Sequence, residues 1–319
     1  MAIRQPQVKA PQKDTLVLID GNAILHRAYH ALPPLTTRSG EMVNAVYGFA
    51  TMLLRILNDL NPKCIAVSFD TSKSVFRHQE FIGYKANRKE MDQELVSQIQ
   101  KVHDLVKAFN IPIYAVDGYE ADDVIGSIAK QAAEQGEKVL IVTGDKDFMQ
   151  LVDDEKIMLY MPTRGLSEAQ IIGESEVIEK MGIKPEQIVD YKGLVGDPSD
   201  NYPGVPGIGP KTAIELLNRF GSVEEIYKNL DKIDSKVLAE KLTQGLESAV
   251  LSKKLAQILT DAPVEIKLED CVSLDYDKET VIAFFKELGF RSLVNRISGE
   301  EDTEKKIGKK KDQRQQSLF

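Results

Sequence analysis

The sequence predicts an α/β fold with a mostly parallel sheet, followed by a second, helical domain. Three observations carry this. Leu16–Ile19, Ile65–Phe69 and Val139–Val142 are short continuous apolar runs, as expected of strands covered on both faces. Segments with helical periodicity separate them, and the resulting β-α-β-α order favours parallel pairing through crossover connections. From Ser222 to Ile297 apolar residues recur at helical spacing almost throughout, with Val264-Glu265-Ile266 as a short extended piece.

In chain order, the first apolar run ends in Asp20-Gly21-Asn22, a strand followed by a turn. Val46, Phe49, Leu53, Leu54 and Leu57 then mark a helix over Asn44–Leu60. The second run ends in Asp70, and the third passes through Thr143-Gly144 into Asp145 and Asp147. In open parallel sheets ligands bind at the carboxyl ends of the strands, so three strands deliver aspartates to one edge.

Between the second and third strands lies Tyr119-Glu120-Ala121-Asp122-Asp123, just ahead of the helical run Val124–Ala129. One acid suffices to cap a helix and complement its dipole. Three crowd together: two carboxylates about 5 Å apart repel by about 3 kcal/mol at an effective dielectric of about 20. Such density calls for a cation. Asp197 and Asp200, in Gly196-Asp197-Pro198-Ser199-Asp200-Asn201, read alone as turn chemistry. The glycine-rich stretch Gly204–Gly209 then leads into a helix near Lys211. A glycine hairpin feeding a helix N-terminus presents backbone N–H groups to a phosphate, and the lysine adds charge; the bland alternative is a plain turn between helices. From Val75 to Met91, Arg77, His78, Lys85, Arg88 and Lys89 are interleaved with Phe76, Phe81 and Tyr84, a mixture suited to phosphates and unstacked bases or to a solvated helix face.

Composition narrows the classes. The 319 residues can bury one large core or two unequal ones, and the net charge is 41 − 49 = −8. That sign argues mildly against nucleic acid, but acids that converge on metals are neutralised locally and leave the question to where lysine and arginine cluster. No apolar run reaches membrane-spanning length, and the polar start has no signal-peptide core, so a cytoplasmic location is expected. Cys64 and Cys271 stand far apart in sequence and suggest neither a disulfide framework nor a zinc site.

Nine acids are candidates for one site: Asp20, Asp70, Glu120, Asp122, Asp123, Asp145, Asp147, Asp197 and Asp200. With no histidine or cysteine among them, the set selects hard cations such as Mg²⁺ or Mn²⁺, and it is too large for one ion. Paired Mg²⁺ ions are the usual equipment for phosphodiester hydrolysis.

The blocks LVLIDGNAILHRAYHALPPL, VSFD, FRHQEFIGYKANR, GYEADDVIGSIA, TGDKDFMQLV, KGLVGDPSDNYPGVPGIGPKTA and FKELGFRSL resemble the 5′–3′ exonuclease (flap endonuclease) domain of bacterial DNA polymerase I, from about Leu16 to Ile297. The resemblance implies a PIN-like domain over 15–183 with a helical arch at about 75–95, and a helix-three-turn-helix domain over 184–298. An N-terminal extension (1–14) and a disordered tail (299–319) flank them. It implies removal of 5′ flaps and RNA primers from RNA–DNA hybrids in replication and repair, at the nucleoid. Asp20, Asp70, Glu120 and Asp122 would hold the first metal. Asp145, Asp147 and Asp200 would hold the second, with Asp123 and Asp197 as outer acids. Lys85 would steer the scissile phosphate, assisted by Arg77 and Arg88. Tyr29 or Tyr84 would stack on an unpaired base. Gly207, Ile208, Gly209 and Lys211 would hold the downstream duplex, with K⁺ on backbone carbonyls.

Because the sequence stops at Phe319, a free-standing monomeric nuclease working beside a separate polymerase is expected. Gln315, Ser317, Leu318 and Phe319 resemble the peptide by which bacterial proteins dock on the sliding clamp. Two alternatives stand beside the nuclease: a catalytically poor DNA-structure-binding protein of this fold, and an RNA-directed PIN-type ribonuclease.

Overall fold

The computed structural model describes residues 15–71, 75–164, 168–271 and 275–299. Its first half comprises β1 (Thr15–Asp20), α1 (Gly21–Ala31), α2 (Asn44–Leu60), β2 (Cys64–Ser68), α3 (Phe76–Glu80), α4 (Gln93–Ala108), β3 (Ile113–Tyr114), α5 (Ala121–Glu134), β4 (Lys138–Val142), β5 (Ile157–Arg164) and β6 (Glu168–Ile172). Eight helices follow: α6 (Glu174–Met181), α7 (Ile188–Val195), α8 (Pro210–Phe220), α9 (Val223–Lys228), α10 (Lys236–Gln244), α11 (Leu246–Ala256), α12 (Lys278–Glu287) and α13 (Arg291–Ser298).

The six strands form one sheet in the order β3-β2-β1-β4-β5-β6. All neighbours are parallel except the edge pair β5–β6. This mostly parallel sheet is the architecture the sequence predicts. The unbroken apolar runs are explained by alternation across a sheet that is covered twice. Leu16 and Leu18 of β1 enter a core with α5 and with Leu194, Ala213 and Leu217 of α7 and α8. Val17 and Ile19 enter a second core with α2, α4, α12 and α13. The helical second half therefore packs on both faces of the sheet.

Several elements depart from the sequence reading. In β5 the apolar run Ile157–Met161 is cut by Pro162, which lies beyond Tyr160, where pairing with β4 ends; β6, the edge strand, mixes Glu168 and Gln170 with apolar residues. The segment expected to be a helical arch is one short helix, α3, followed by turns as far as α4. Val264–Ile266 forms no strand. It belongs to a strap that returns from α11 along α5: Ala262 N donates to Ser127 Oγ at 2.9 Å, and Gln131 Nε2 donates to the Val264 carbonyl at 2.7 Å. A Cβ on Gly126 of α5 would come within 2.7 Å of Ile258 Cγ2 and 3.0 Å of the Leu259 carbonyl, so the strap lies close only because that position carries no side chain.

The strap ends at Cys271, which forms a disulfide with Cys64 of β2 (Cα–Cα 4.9 Å). This corrects the expectation of two unconnected cysteines: they lie 207 positions apart in sequence, and only the returning strap brings them together. Among the described residues no helix is long and apolar enough to cross a membrane. Gln315, Ser317, Leu318 and Phe319 lie outside the described residues.

Candidate active site

Strands β2, β1 and β4 are neighbours and parallel, so their carboxyl ends open on one edge, and each end is fixed by local hydrogen bonds. Asp20 closes β1 and caps α1, accepting from Ala23 N at 3.0 Å; its other oxygen accepts the Thr143 hydroxyl at 2.8 Å. Thr143 follows β4 and also accepts from Asp145 N at 3.0 Å. Asp145 in turn caps a 3-10 turn, Lys146–Leu151, by accepting from Asp147 N at 2.9 Å. Asp70, beyond β2, accepts from Ala121 N at 2.7 Å, the first amide of the acid-bearing helix α5.

The helical half supplies the remaining acids. After α7, Asp197 and Tyr202 exchange backbone hydrogen bonds across a turn, while Asp197 Oδ1 accepts from Ser199 N at 2.7 Å. This turn brings Asp197 and Asp200 to Asp147: one carboxylate oxygen from each lies within 4.8 Å of the others. Among the described residues this is the one such trio. The sequence reading joined Asp145, rather than Asp197, with Asp147 and Asp200. Asp20, Asp70, Glu120 and Asp122 do not close into a comparable group; they line the same edge, connected through Thr143 and the start of α5.

The basic-aromatic segment closes over these acids. Lys85 donates to Glu120 Oε1, and Arg88 Nη2 donates to Asp200 Oδ1 at 2.5 Å. Tyr84 is 3% exposed, and its hydroxyl lies 2.9 Å from Glu120 Oε2 and 3.3 Å from Asp200 Oδ2. A ring so buried has no face for a base, which removes Tyr84 from the stacking role. Tyr29, half-buried on α1, is packed edge-on against His30 with ring centroids 5.0 Å apart. Arg77 is 2% exposed and bound to Glu120 and Asp123, out of reach of a phosphate, so its steering role is likewise corrected.

Lys192 of α7 is the residue the sequence reading missed. Its ammonium donates to Asp147 Oδ1 and, at 2.7 Å, to Asp197 Oδ2. The only sequence signal was a lysine one turn ahead of the Gly196-Asp197 pair. At the glycine hairpin, Gly207 has φ +79° and Gly209 precedes α8, with Lys211 exposed in its first turn. Ile208 is buried, so only its backbone is available there. Lys241 Nζ approaches the Gly207 carbonyl at 3.4 Å, placing an ammonium against the carbonyl expected to face K⁺.

Burial pushes the Asp20 carboxyl up to about 6, aided by Asp145 and Asp70 and opposed by the Ala23 and Thr143 bonds. Burial and the neighbouring Asp145 likewise raise Asp147 to about 6, against the pull of Lys192. Asp122 is raised well above the usual carboxylate range by burial and by Glu120. At Asp197 burial acts upward, but the Lys192 and Ser199 bonds outweigh it and hold the carboxyl below its usual value.

Desolvated carboxylates that repel one another in this way fit divalent cations with oxygen preference. The Tyr202 hydroxyl adds to the fit. It is buried beside Asp147, Asp197 and Asp200 without a hydrogen-bond partner, a donor suited to a water or phosphate oxygen at the ion. The cleft over Asp145, Asp147, Lys192 and Asp197 has a volume of about 600 Å³. A larger groove of about 1360 Å³, between Leu32–Ser39 and Lys286–Asn295, contains none of the nine acids.

Residues 15–182 match the model of the 5′–3′ exonuclease N-terminal resolvase-like domain, and residues 183–279 match that of the 5′–3′ exonuclease C-terminal SAM fold. The chain is 44% identical over 294 residues to DNA polymerase I of Bacillus caldotenax, covering 92% of this chain and 33% of that protein. It is 40% identical over 283 residues to the thermostable DNA polymerase I of Thermus thermophilus, covering 89% and 33%. It thus spans about a third of the length of these relatives. In fold it is similar to the 5′-exonuclease of T5 with bound zinc (TM-score 0.65, 20% identity, 90% of this chain and 97% of that one). It is also similar to the catalytic core of Rad2 in complex with a DNA substrate (TM-score 0.60, 17% identity, 89% and 92%). The chain belongs to the 5′–3′ exonuclease family.

Proposed function

We propose that this chain hydrolyses phosphodiester bonds at 5′ flaps and single-strand/duplex junctions, including RNA primers on DNA, with two Mg²⁺ or Mn²⁺ ions. The observation that carries this reading is the convergence of acids from both halves of the chain on one sheet edge beneath the cationic Lys85 and Arg88. Asp147, Asp197 and Asp200, with Asp145 alongside, would hold one ion; Asp20, Asp70, Glu120 and Asp122 would hold the other. When bound, the ions supply Lewis acidity and an activated water.

The residues of the chain do the rest. Lys85 and Arg88 approach the acids from the arch side and serve as phosphate contacts once cations neutralise the carboxylates they now hold. The Gly207–Gly209 backbone and Lys211 suit the phosphates of the downstream duplex, and Lys241 would contribute the charge expected there of K⁺. Tyr29 remains the candidate for stacking on a base. The division at residues 183/184 serves this reading, with chemistry in the first part and duplex grip in the second. By relation to DNA polymerases I, a polymerase and the sliding clamp are proposed partners, and the cytoplasm is the proposed location.

The test is single-turnover cleavage of a 5′-labelled flap duplex in Mg²⁺ and in EDTA. Mg²⁺-dependent release of a short product cut at the junction is expected. Tight binding without cleavage would withdraw the catalytic assignments, and faster cleavage of structured RNA than of flap DNA would favour a ribonuclease.

A further inference from the structure

Arg77 stands at the foot of the arch, in α3, and each of its five N–H groups has a partner. Nε donates to the Leu255 carbonyl at 3.0 Å. Nη1 donates to Glu120 Oε2 at 2.9 Å and Asp123 Oδ2 at 2.7 Å. Nη2 donates to Asp123 Oδ1 at 2.8 Å and the Gln257 carbonyl at 2.7 Å. Asp123 is as fully engaged. Its side chain is 0% exposed, Oδ1 also accepts from Leu259 N at 2.8 Å, and Oδ2 also accepts from Glu120 N at 3.3 Å.

A carboxylate with both oxygens accepting twice has no lone pair left for a metal, and a guanidinium with no free N–H has none for a phosphate. The pair therefore acts through its neighbours. It joins three parts of the chain: the arch foot, the first turn of α5, and the end of α11 with the strap beyond it. Glu120, one of the candidate metal acids, is held on one oxygen by Arg77 and by the Tyr84 hydroxyl.

We propose that Arg77 and Asp123 form a positioning pair that sets Glu120 and Asp122 for metal binding and makes that setting depend on the docked helical half. The proposal rests on the metal-dependent reading above. Carbonyls of Leu255 and Gln257 complete the coordination of Arg77, so a detached strap leaves the guanidinium underbonded and frees the first turn of α5. The carboxylates then lose the fixed geometry that a cation with strict ligand demands requires.

The experiment is Mn²⁺ titration of the full chain, without substrate, read by electron paramagnetic resonance. The double variant Arg77→Met/Asp123→Leu removes both charges together, which spares the core an unpaired ion. Folded double variant with Mn²⁺ affinity reduced by about 10- to 100-fold is expected, the size typical of lost outer-sphere support. Arg77→Lys, which keeps the charge but not the fork, should fall between. Wild-type affinity in the folded double variant overturns the proposal.

If the double variant does not fold, hydrogen exchange of the wild-type protein decides. Coupling is reciprocal, so Mn²⁺ must slow exchange of the Leu259 amide that donates to Asp123. Unchanged exchange overturns the proposal. Mn²⁺ binding without flap cleavage would overturn only the nuclease reading, whereas wild-type protein that binds no Mn²⁺ overturns both.

Discussion

The Tyr84 hydroxyl donates to Glu120 Oε2 at 2.9 Å, linking the arch to the first turn of α5 by a buried, charge-assisted bond. Burial, Glu120 and Asp200 all push its own ionisation far upward, so the hydroxyl keeps its proton and remains a donor. Tyr84→Phe keeps the ring in its apolar site and removes only the donor. A loss of about 1.5–3 kcal/mol in unfolding free energy is expected from denaturant titration, the range for a hydrogen bond to a charged group. Flap affinity measured in Ca²⁺ should not change. A variant of unaltered stability and weakened flap affinity would return Tyr84 to the DNA-stacking role.

Lys192 is the counter-ion of Asp147 and Asp197. Burial works against its charge, but Asp147 and the other groups around it outweigh that and raise the ammonium above an ordinary lysine. Lys192→Met should therefore lose about 3 kcal/mol in EDTA, where two crowded carboxylates are left without their cation. Mg²⁺ should restore much of the loss, so the Mg²⁺-induced rise in Tm should be larger for the variant than for wild type. An equal rise in both proteins would mean that the ammonium and the metal do not serve the same acids.

For Asp20 the pH dependence has a definite sign. The folded carboxyl is raised to about 6, while an unfolded one titrates near 4. Between those values the native state holds more protons, so metal-free stability falls as pH rises and stays low above about 6. The term amounts to about 3 kcal/mol. Asp20→Asn retains an acceptor for Ala23 N and removes the charge. In EDTA the variant should melt above wild type at pH 7 and near it at pH 4. A gap independent of pH would refute the raised ionisation.

The Cys64–Cys271 disulfide links residues 207 positions apart, and both side chains are buried. Alkylation of the denatured, unreduced protein should label no thiol, and prior reduction should expose two. Constraining so long a loop is worth up to about 5 kcal/mol in the chain-entropy treatment. Reduced protein should accordingly unfold at lower denaturant concentration, and Cys64→Ser/Cys271→Ser should show no redox dependence. Two reactive thiols without reduction would show that the cysteines only touch.

Much of the site was readable because it is built from local signals. A buried parallel strand must be apolar and must stop at its ligand edge, so Asp20, Asp70 and Asp145 announce themselves at the ends of three apolar runs. Glu120, Asp122 and Asp123 announce themselves by a density of charge that capping does not need. β5 and β6 were illegible for the converse reason. The apolar run of β5 is cut by Pro162, tolerated because pairing with β4 ends at Tyr160, and the edge strand β6 mixes polar and apolar residues without the pattern that burial on two faces imposes.

What the sequence determined by itself was the three adjacent parallel strands β2, β1 and β4, the roster of acids and the class of cation they suit, since residue type and spacing carry that chemistry directly. The tertiary structure decided which members of the roster are free to use it. Arg77 and Tyr84 read as exposed phosphate and base contacts, yet both are buried and spent on Glu120. Lys192 and Cys271 read as unremarkable, yet folding carries one to Asp147 and the other to Cys64. The physical reason is that a side chain's task depends on which donors and acceptors are already satisfied around it. That accounting closes only when segments far apart in the chain, such as α3, α5 and the strap after α11, are packed against one another.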